Sequence, residues 1–511
     1  MKPLLICRNH KKRWSLWKIS YIFKSWLEYQ PAPIPFFNKT LPPNEISLIV
    51  ISSFVLNVFY NFYHMPLSVP YLFVFADRCG LLFVANLPLL YFLSAKTQPL
   101  KLFTGQSYES LNIFHRRVGE LLCFEAFLHC AGMIGAWYTL LRRIGFSLFR
   151  FLTTKLVGLG LGAFVAYEVL YLTSLRSFRQ RCYEIFLALH IFLQLAGLIL
   201  LYLHHRTSRP YVIISLAIFL IDRLVFRLYL KSSTHPATLT VLSDEETLLV
   251  STNWDITPSM CPLSLFPVPH STKTGWKPTD HVFLTVPALS MESHPFTIYS
   301  AAPTSTLSPS TEGQDPRHAW LTLLIRAHSG FTQRLLSHAH DNKTITIRLN
   351  GPYGSSHALD ILSSSPNAII VTGGSGIAVA YPLLWALLSP SSRSHFAPDI
   401  ESGPTPPARS YNQKVRLLWI IHSSLHLEWF PEHMRKELED WGLELYIPGP
   451  TSEVGRPEVK RILESWVGGE EKVTGVVVSG PDGLVRSVRN FCAKEVRLGR
   501  EIRVGVEKFG W

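Results

Sequence analysis

The sequence predicts an α-helical membrane bundle of six spans, followed by a small β-barrel and then an α/β domain on a parallel sheet. Three observations predict it. The hydrophobic runs lie in the first 230 of 511 residues and account for much of an apolar content of 47%. From about residue 235, short alternating segments separated by turn residues take over, which is strand patterning. From 367 onward, β-branched strands alternate with helical segments, the order of a parallel sheet. A chain this long exceeds one hydrophobic core, so several domains are expected.

A net charge of +13 invites a nucleic-acid partner. No basic helix, RNA-binding motif or zinc pattern accompanies it, so no nucleic acid is expected. The basic residues flank the apolar segments instead, as membrane topology requires. The seven cysteines, Cys7, Cys79, Cys123, Cys130, Cys182, Cys261 and Cys492, form no Cys-x-x-Cys pair, which argues against a disulfide framework and a zinc site.

Residues 1–45 carry Lys2, Arg8, Lys11, Lys12, Arg13, Lys18 and Lys24 among aromatics and no signal-peptide core. They read as a basic cytosolic segment, where the sequon at Asn38 stays silent. Spans follow at 46–64, 72–94, 112–138, 147–173, 183–205 and 210–230, each near the roughly 20 residues a bilayer needs. With six spans both ends share a side. Lys96, Lys101, Arg176, Arg179, Arg181, Arg223, Arg227 and Lys231 fall on that side, with Arg142 and Arg143 as the exception.

Two of these apolar helices carry a histidine pair at one and the same interval of fourteen residues: His115 with His129, and His190 with His204. Such a pair spans about 21 Å along a helix and differs by roughly 40° in azimuth, so each helix shows two imidazoles from one face at two depths. If the helices are neighbours, His115 faces His190 and His129 faces His204, which makes two axial-ligand pairs for two stacked hemes. His205 is an alternative to His204, which the matched interval favours. Arg116, Arg117, Arg176, Arg179 and Arg181 are placed either to neutralise heme propionates or to anchor topology. Glu125, between the two histidines of its helix, either faces a polar interior or marks an irregular helix.

The barrel is expected over 235–355 and the α/β domain over 366–511, with a Ser/Pro-rich insertion at 385–412. Within the barrel, His294-Pro295-Phe296-Thr297 combines a turn-fixing proline with a hydroxyl that suits a flavin ring edge. Arg326 and the amides of Gly330 to Thr332 suit a pyrophosphate. In the α/β domain an apolar strand runs into Gly373, Gly374 and Gly376 and then a helix, the geometry in which helix N-terminal amides receive a phosphate. A later strand ends in Ser479-Gly480-Pro481.

In this order the motifs resemble the ferric reductase transmembrane family, which includes the NADPH oxidases, and above all the fungal ferric/cupric reductases. The resemblance runs from about residue 72 to the C-terminus. The stretch Asp77–Leu90 is similar to the family's second helix, and the four histidines match its bis-heme positions. His294–Thr297 matches its flavin motif, and Gly373–Ala378 its nicotinamide-nucleotide loop. Gly455-Arg456-Pro457 matches a further nucleotide-site motif, and the ending Glu507–Trp511 the family's terminus.

The resemblance implies a ferredoxin-NADP reductase-like pair of C-terminal domains, with FAD, two heme b and NADPH as cofactors. His294, Pro295, Phe296, Thr297, Arg326, Gly330 and Thr332 would hold FAD. Gly373, Gly374, Gly376, Ser479, Gly480 and Pro481 would hold NADPH. Arg456 would pair with the 2′-phosphate or be a plain surface arginine, and Trp511 would stack on the flavin or simply finish a strand. The chain departs from the family at Pro278-Thr279-Asp280-His281, where Pro-Gly-Gln-His is usual, and at Ser479, where cysteine is common. It is also read as lacking a luminal N-terminal extension and an extra first helix.

The implied function is a transmembrane metalloreductase, an NADPH-dependent ferric-chelate reductase. It would carry electrons from cytosolic NADPH through FAD and the hemes to Fe(III) chelates or Cu(II) on the other side. The alternatives are a superoxide-producing NADPH oxidase and a non-catalytic membrane scaffold of the same fold. The expected setting is the plasma membrane, with vacuolar and endoplasmic reticulum membranes as alternatives. Membrane lipid is a partner, and homo-oligomers are compatible.

Overall fold

The structure is a computed structural model, described over residues 18–35, 40–66, 68–95, 108–229, 233–256, 275–303, 317–390, 413–467 and 473–507. The Asn38 sequon, Lys96, Lys101, Lys231, Cys7, Cys261, Trp511 and residues 391–412 of the insertion lie outside these. The chain divides into two compact units, Ile46–Arg227 and the combination of Met1–Glu45 with Leu228–Trp511.

The first unit is helical. Its helices are α2 (Asn44–Phe62, whose first turn precedes the unit), α3 (Leu72–Ser94), α4 (Tyr108–Ala136), α5 (Lys155–Ser174), α6 (Tyr183–His204) and α7 (Arg209–Tyr229). Each expected span therefore coincides with a helix. The span expected to begin at 147 starts later, because a short helix, Leu148–Thr153, ends at an extended Thr154 before α5 begins.

Among the described residues five helices are long and apolar enough to cross a membrane, where the sequence predicts six. The sixth, α7, forms as a helix, but unlike the other five it has no eighteen-residue stretch with two charges or fewer. Asp222 and Arg223, with Arg209 or Arg227, put three charges into any eighteen-residue stretch of it. Helix α3 packs on α4 and α5 on α6, around Phe83, Leu87, Leu122, Tyr167, Leu198 and Leu201. The outward faces are apolar, as at Ile51, Val55 and Leu56 of α2, which suits a lipid solvent.

The second unit begins with a helix over residues 18–28, α1, and holds two sheets. The antiparallel strands are β1 (Ser233–Val241), β2 (Thr247–Ile256), β3 (His281–Val286), β4 (Ser290–Thr297), β5 (Arg317–Arg326) and β6 (Thr344–Tyr353). Their order is β4-β3-β6-β1-β2-β5, and an Ile298–Leu323 bridge joins the two ends into the expected barrel. Helix α8 (Phe331–Asp341) plugs the barrel with Phe331 and Leu335.

The parallel sheet runs β11-β10-β7-β8-β9, with β7 (Asn367–Gly373), β8 (Lys414–Ile420), β9 (Leu443–Tyr446), β10 (Val473–Ser479) and β11 (Glu501–Val506). On one face lie α9 (His357–Ser363), α10 (Ile377–Leu388) and α11 (Glu432–Asp440). On the other lie α12 (Val459–Val467) and α13 (Asp482–Arg497). Helix α10 continues through Leu388, so the insertion expected from 385 begins after it. Strand order reverses between β7 and β10. Open sheets of this kind receive ligands in the crevice beyond the carboxyl ends of such strands.

Candidate functional site

In the helical unit the four histidines share one mode of support. His115 Nδ1 donates to the Leu90 carbonyl at 3.0 Å and His129 Nδ1 to the Ala76 carbonyl at 2.7 Å, both on α3. His204 Nδ1 donates to the Leu156 carbonyl of α5 at 2.8 Å, and His190 Nδ1 lies 3.4 Å from Ser174 Oγ on the same helix. A carbonyl oxygen has no hydrogen to give, so Nδ1 must carry the proton. Nε2 is then left with its lone pair outward, the tautomer and the second contact expected of a metal-bound imidazole.

The His129 and His204 ring centroids stand 6.3 Å apart with planes at 82°. Two nitrogen–metal bonds of about 2 Å plus the inner half of each ring add up to roughly this distance, so the pair fits one iron between its imidazoles. Room for the two imidazole rings comes from two helical glycines. A Cβ on Gly80 would lie 2.8 Å from His129 Nδ1, and one on Gly160 would lie 2.5 Å from His204 Cε1. His115 and His190 are within electrostatic reach of each other, and Arg116 is within reach of Arg176 and Arg179. Tyr91, next to Leu90, donates its hydroxyl to Gln194 Oε1 at 2.8 Å, joining α3 to α6.

His205 is turned away from this column. Its Nδ1 accepts from the Thr207 amide at 3.2 Å and caps the short Arg206–Ser208 turn, so the geometry favours His204. Glu125 is buried and accepts from Asn61 Nδ2 at 2.9 and 3.0 Å, while Cys79 Sγ donates to Asn61 Oδ1 at 3.3 Å. The sequence left its place open between a polar interior and an irregular helix; it lies in a polar interior, on an unbroken helix.

In the second unit, Thr297 is buried beside His281 across the β3–β4 ladder, with Pro295 opposite Phe283. His294 stacks on Phe331 with centroids 4.5 Å apart, and its Nε2 lies 2.9 Å from Glu292 Oε2. Phe296 packs on the barrel core. Gly330, at φ 64, caps α8, and the Thr332 hydroxyl accepts from the His328 amide at 3.1 Å. Arg326 donates through Nη2 to Glu246 at 2.9 Å and lies over Trp429, while its buried Nε has no partner among the described residues.

The departure at Pro278–His281 has a local explanation. Thr279 sits at φ 71, left-handed backbone that suits the glycine usual there, and its hydroxyl donates to the Ser355 carbonyl at 3.0 Å. Asp280 turns into its own loop, where Oδ2 accepts from the Lys277 amide at 2.7 Å.

At the switch point of the parallel sheet the two predicted loops meet. A Cβ on Gly376 would strike the Ser479 carbonyl at 2.7 Å, and one on Gly373 would crowd Pro481 at 3.0 Å; Gly480 lies against Gly373. Just below, the buried Thr372 hydroxyl has no partner among the described residues. Such an orphan at the mouth of a glycine loop suits a hydrogen-bonding ligand. Arg456 is exposed, beside Gly455 at φ 78. The structure does not bring Arg456 into contact with the glycine loop.

Sequence reasoning missed what lies between the barrel and the sheet. Trp429 donates from Nε1 to Asp244 Oδ2 at 3.1 Å, stacks on His426 at 4.0 Å, and accepts at its carbonyl from Tyr299 at 2.8 Å. Burial and the neighbouring Arg326 push the His426 imidazole below its ordinary value. Tyr299 stands two residues beyond the His294–Thr297 motif, which was the available signal. For the helical site the signal was Gly80 and Gly160 inside apolar helices.

These features define a class: a helical unit with five helices long and apolar enough to cross a membrane and a column of imidazoles, followed by a β-barrel and an α/β domain whose glycine loops meet at the sheet's switch point. Comparison adds two matches. Residues 79–201 match the family described as ferric reductase like transmembrane component, and residues 259–357 match the FAD-binding domain. The resemblance read from the motifs is thereby borne out in two separate segments.

The chain is similar to a probable cell surface ferric reductase of Aspergillus oryzae, at 28% identity over 81% of this chain and 53% of that one. It is similar to ferric/cupric reductase transmembrane component 7 of Saccharomyces cerevisiae, at 25% over 71% and 56%. With ferric reductase transmembrane component 1 of Schizosaccharomyces pombe it shares 27% over 51% and 40%. The chain thus spans about half the length of these relatives.

Proposed function

We propose that this chain is a transmembrane metalloreductase that takes electrons from cytosolic NADPH by way of FAD and two b-type hemes and delivers them across the membrane to Fe(III) chelates or Cu(II). The observation that carries this reading is the column of four imidazoles, each with Nδ1 committed to a neighbouring helix. His115, His129, His190 and His204 would serve as axial ligands. The names of the relatives support a metal chelate as acceptor, and the words "cell surface" in one of them support the plasma membrane.

Bound in these sites, the cofactors supply hydride chemistry at one end and single-electron carriage at the other. The chain supplies position. Leu90, Ala76 and Leu156 hold three imidazoles in the metal-binding tautomer through backbone carbonyls, which no substitution at those positions removes. Thr297 offers a hydroxyl to the flavin ring, and Arg326 with the Gly330–Thr332 loop holds its pyrophosphate. The amides from Gly373 to Gly376, the Thr372 hydroxyl and the Ser479–Pro481 turn hold the nicotinamide nucleotide, with Arg456 on its 2′-phosphate.

Reduced-minus-oxidised spectra of membranes, with NADPH as reductant, test the reading. His129→Ala is expected to remove about half of the b-type signal, one of two sites, and His205→Ala to leave it whole. A full signal in His129→Ala would overturn the ligand set.

A further inference from the structure

Helix α1 is built the wrong way round for a soluble domain. Its inward face, spaced at i, i+4 and i+7, is Tyr21, Ser25 and Glu28. Tyr21 packs on the cluster of Val485, Val488 and Cys492 from α13, Ser25 is buried, and Glu28 lies within electrostatic reach of Arg489. Just beyond, Gln30 and Asn490 exchange a pair of bonds: the Gln30 amide donates to Asn490 Oδ1 at 2.9 Å, and Asn490 Nδ2 donates to the Gln30 carbonyl at 3.0 Å.

The outward face is apolar. Ile19, Ile22, Phe23 and Trp26, at i, i+3, i+4 and i+7, are 60, 50, 54 and 47% exposed, with Phe23 and Trp26 stacked at 6.2 Å. A helix of a soluble domain hides such a stripe. This one hides its polar side against protein and presents the stripe outward, flanked by Lys18 and Lys24.

Continuity identifies what covers it. The first residue of α2, a helix long and apolar enough to cross a membrane, is tied directly to α1: the Asn44 amide donates to the Tyr29 carbonyl at 3.0 Å, and Asn44 Nδ2 to the Trp26 carbonyl at 2.9 Å. A stripe of Trp, Phe and Ile with lysines beside it, starting where a spanning helix enters lipid, has the composition of a helix lying in the headgroup layer. We propose that α1 is an interfacial helix, its outward stripe immersed in an anionic lipid surface while its inward face grips α13, so that it moors the nucleotide-binding domain to the bilayer.

The inference needs only that α2 lies in lipid; the redox reading can fail without it. The test uses the full chain, one copy per nanodisc of phosphatidylcholine and phosphatidylserine, doped with a photoactivatable phosphatidylcholine. After irradiation, lipid adducts are mapped by mass spectrometry. Adducts are expected on 18–29 and on α2, and not on the solvent-facing helix α11. In Phe23→Asp/Trp26→Ser, which alters only exposed side chains, adducts on 18–29 should fall by about fivefold while those on α2 persist. Adducts on α2 with none on 18–29, or an unchanged yield in the double variant, overturn the proposal.

Discussion

Thr279 shows two opposing costs at one residue. A β-branched residue in left-handed backbone costs roughly 1–3 kcal/mol, and its hydroxyl bond to the Ser355 carbonyl returns about 1 kcal/mol. Thr279→Gly should therefore fall within about 1 kcal/mol of neutral, because it removes the strain and the bond together. Thr279→Val keeps the strain and strands the carbonyl, so a loss of about 1–3 kcal/mol is expected. Thermal midpoints of the purified protein compare the two; equal behaviour would show that the hydroxyl does not hold the turn. Gly160 makes a sharper case. Gly160→Ala places a methyl group 2.5 Å from His204 Cε1 and should diminish the b-type spectrum as His204→Ala does, whereas Gly158→Ala, with its nearest neighbour at 3.5 Å, should not.

Helix α2 buries only Asn57 and Asn61. Lipid provides no hydrophobic drive between helices, so polar bonds hold such a helix in place: Asn61 to Glu125 and Cys79, and Asn86 Nδ2 to Asn57 Oδ1 at 2.8 Å. Asn61→Leu leaves the Glu125 carboxyl without its donor and should cost roughly 1–3 kcal/mol, while Asn61→Leu with Glu125→Leu should recover most of it. Melting of the detergent-solubilised variants decides; a double variant worse than the single one would refute the pairing.

The seam at Trp429 carries a pH dependence. His426 has an ordinary value of 6.5 that burial and Arg326 lower in the folded chain. Its contribution is therefore present above 6.5 and lost as pH falls through the lowered value. Acidification from 7 to 5 should lower the wild-type melting midpoint more than that of His426→Phe, and superimposable pH curves would remove His426 from the account.

The order of apolar helices, then short strands, then strands alternating with helices was legible in the sequence, as were the places of α2 to α7 apart from the late start of α5, because apolar runs and fourteen-residue histidine intervals are properties of the chain alone. The reading of α7 as a sixth span rested on its length and apolar ends, with Asp222 and Arg223 between them. The meeting of the two glycine loops could be read because glycine signals close backbone approach, and Gly376 against the Ser479 carbonyl shows that approach. The Trp429 seam could not, since Asp244, Arg326, Tyr299 and Trp429 meet only through tertiary folding. Partners of the histidines were hidden for another reason: three of the four are peptide carbonyls, present at every residue.

The two carbonyls on α3, at Ala76 and Leu90, are themselves fourteen residues apart, the interval of the histidines they receive. Helix α3 is therefore a ruler laid beside α4, graduated in main-chain oxygen instead of side chains. A saturation scan of α3 should find position 90 indifferent to which apolar residue stands there, yet inserting a single residue between 76 and 90 should throw one tier out of register and spare the other.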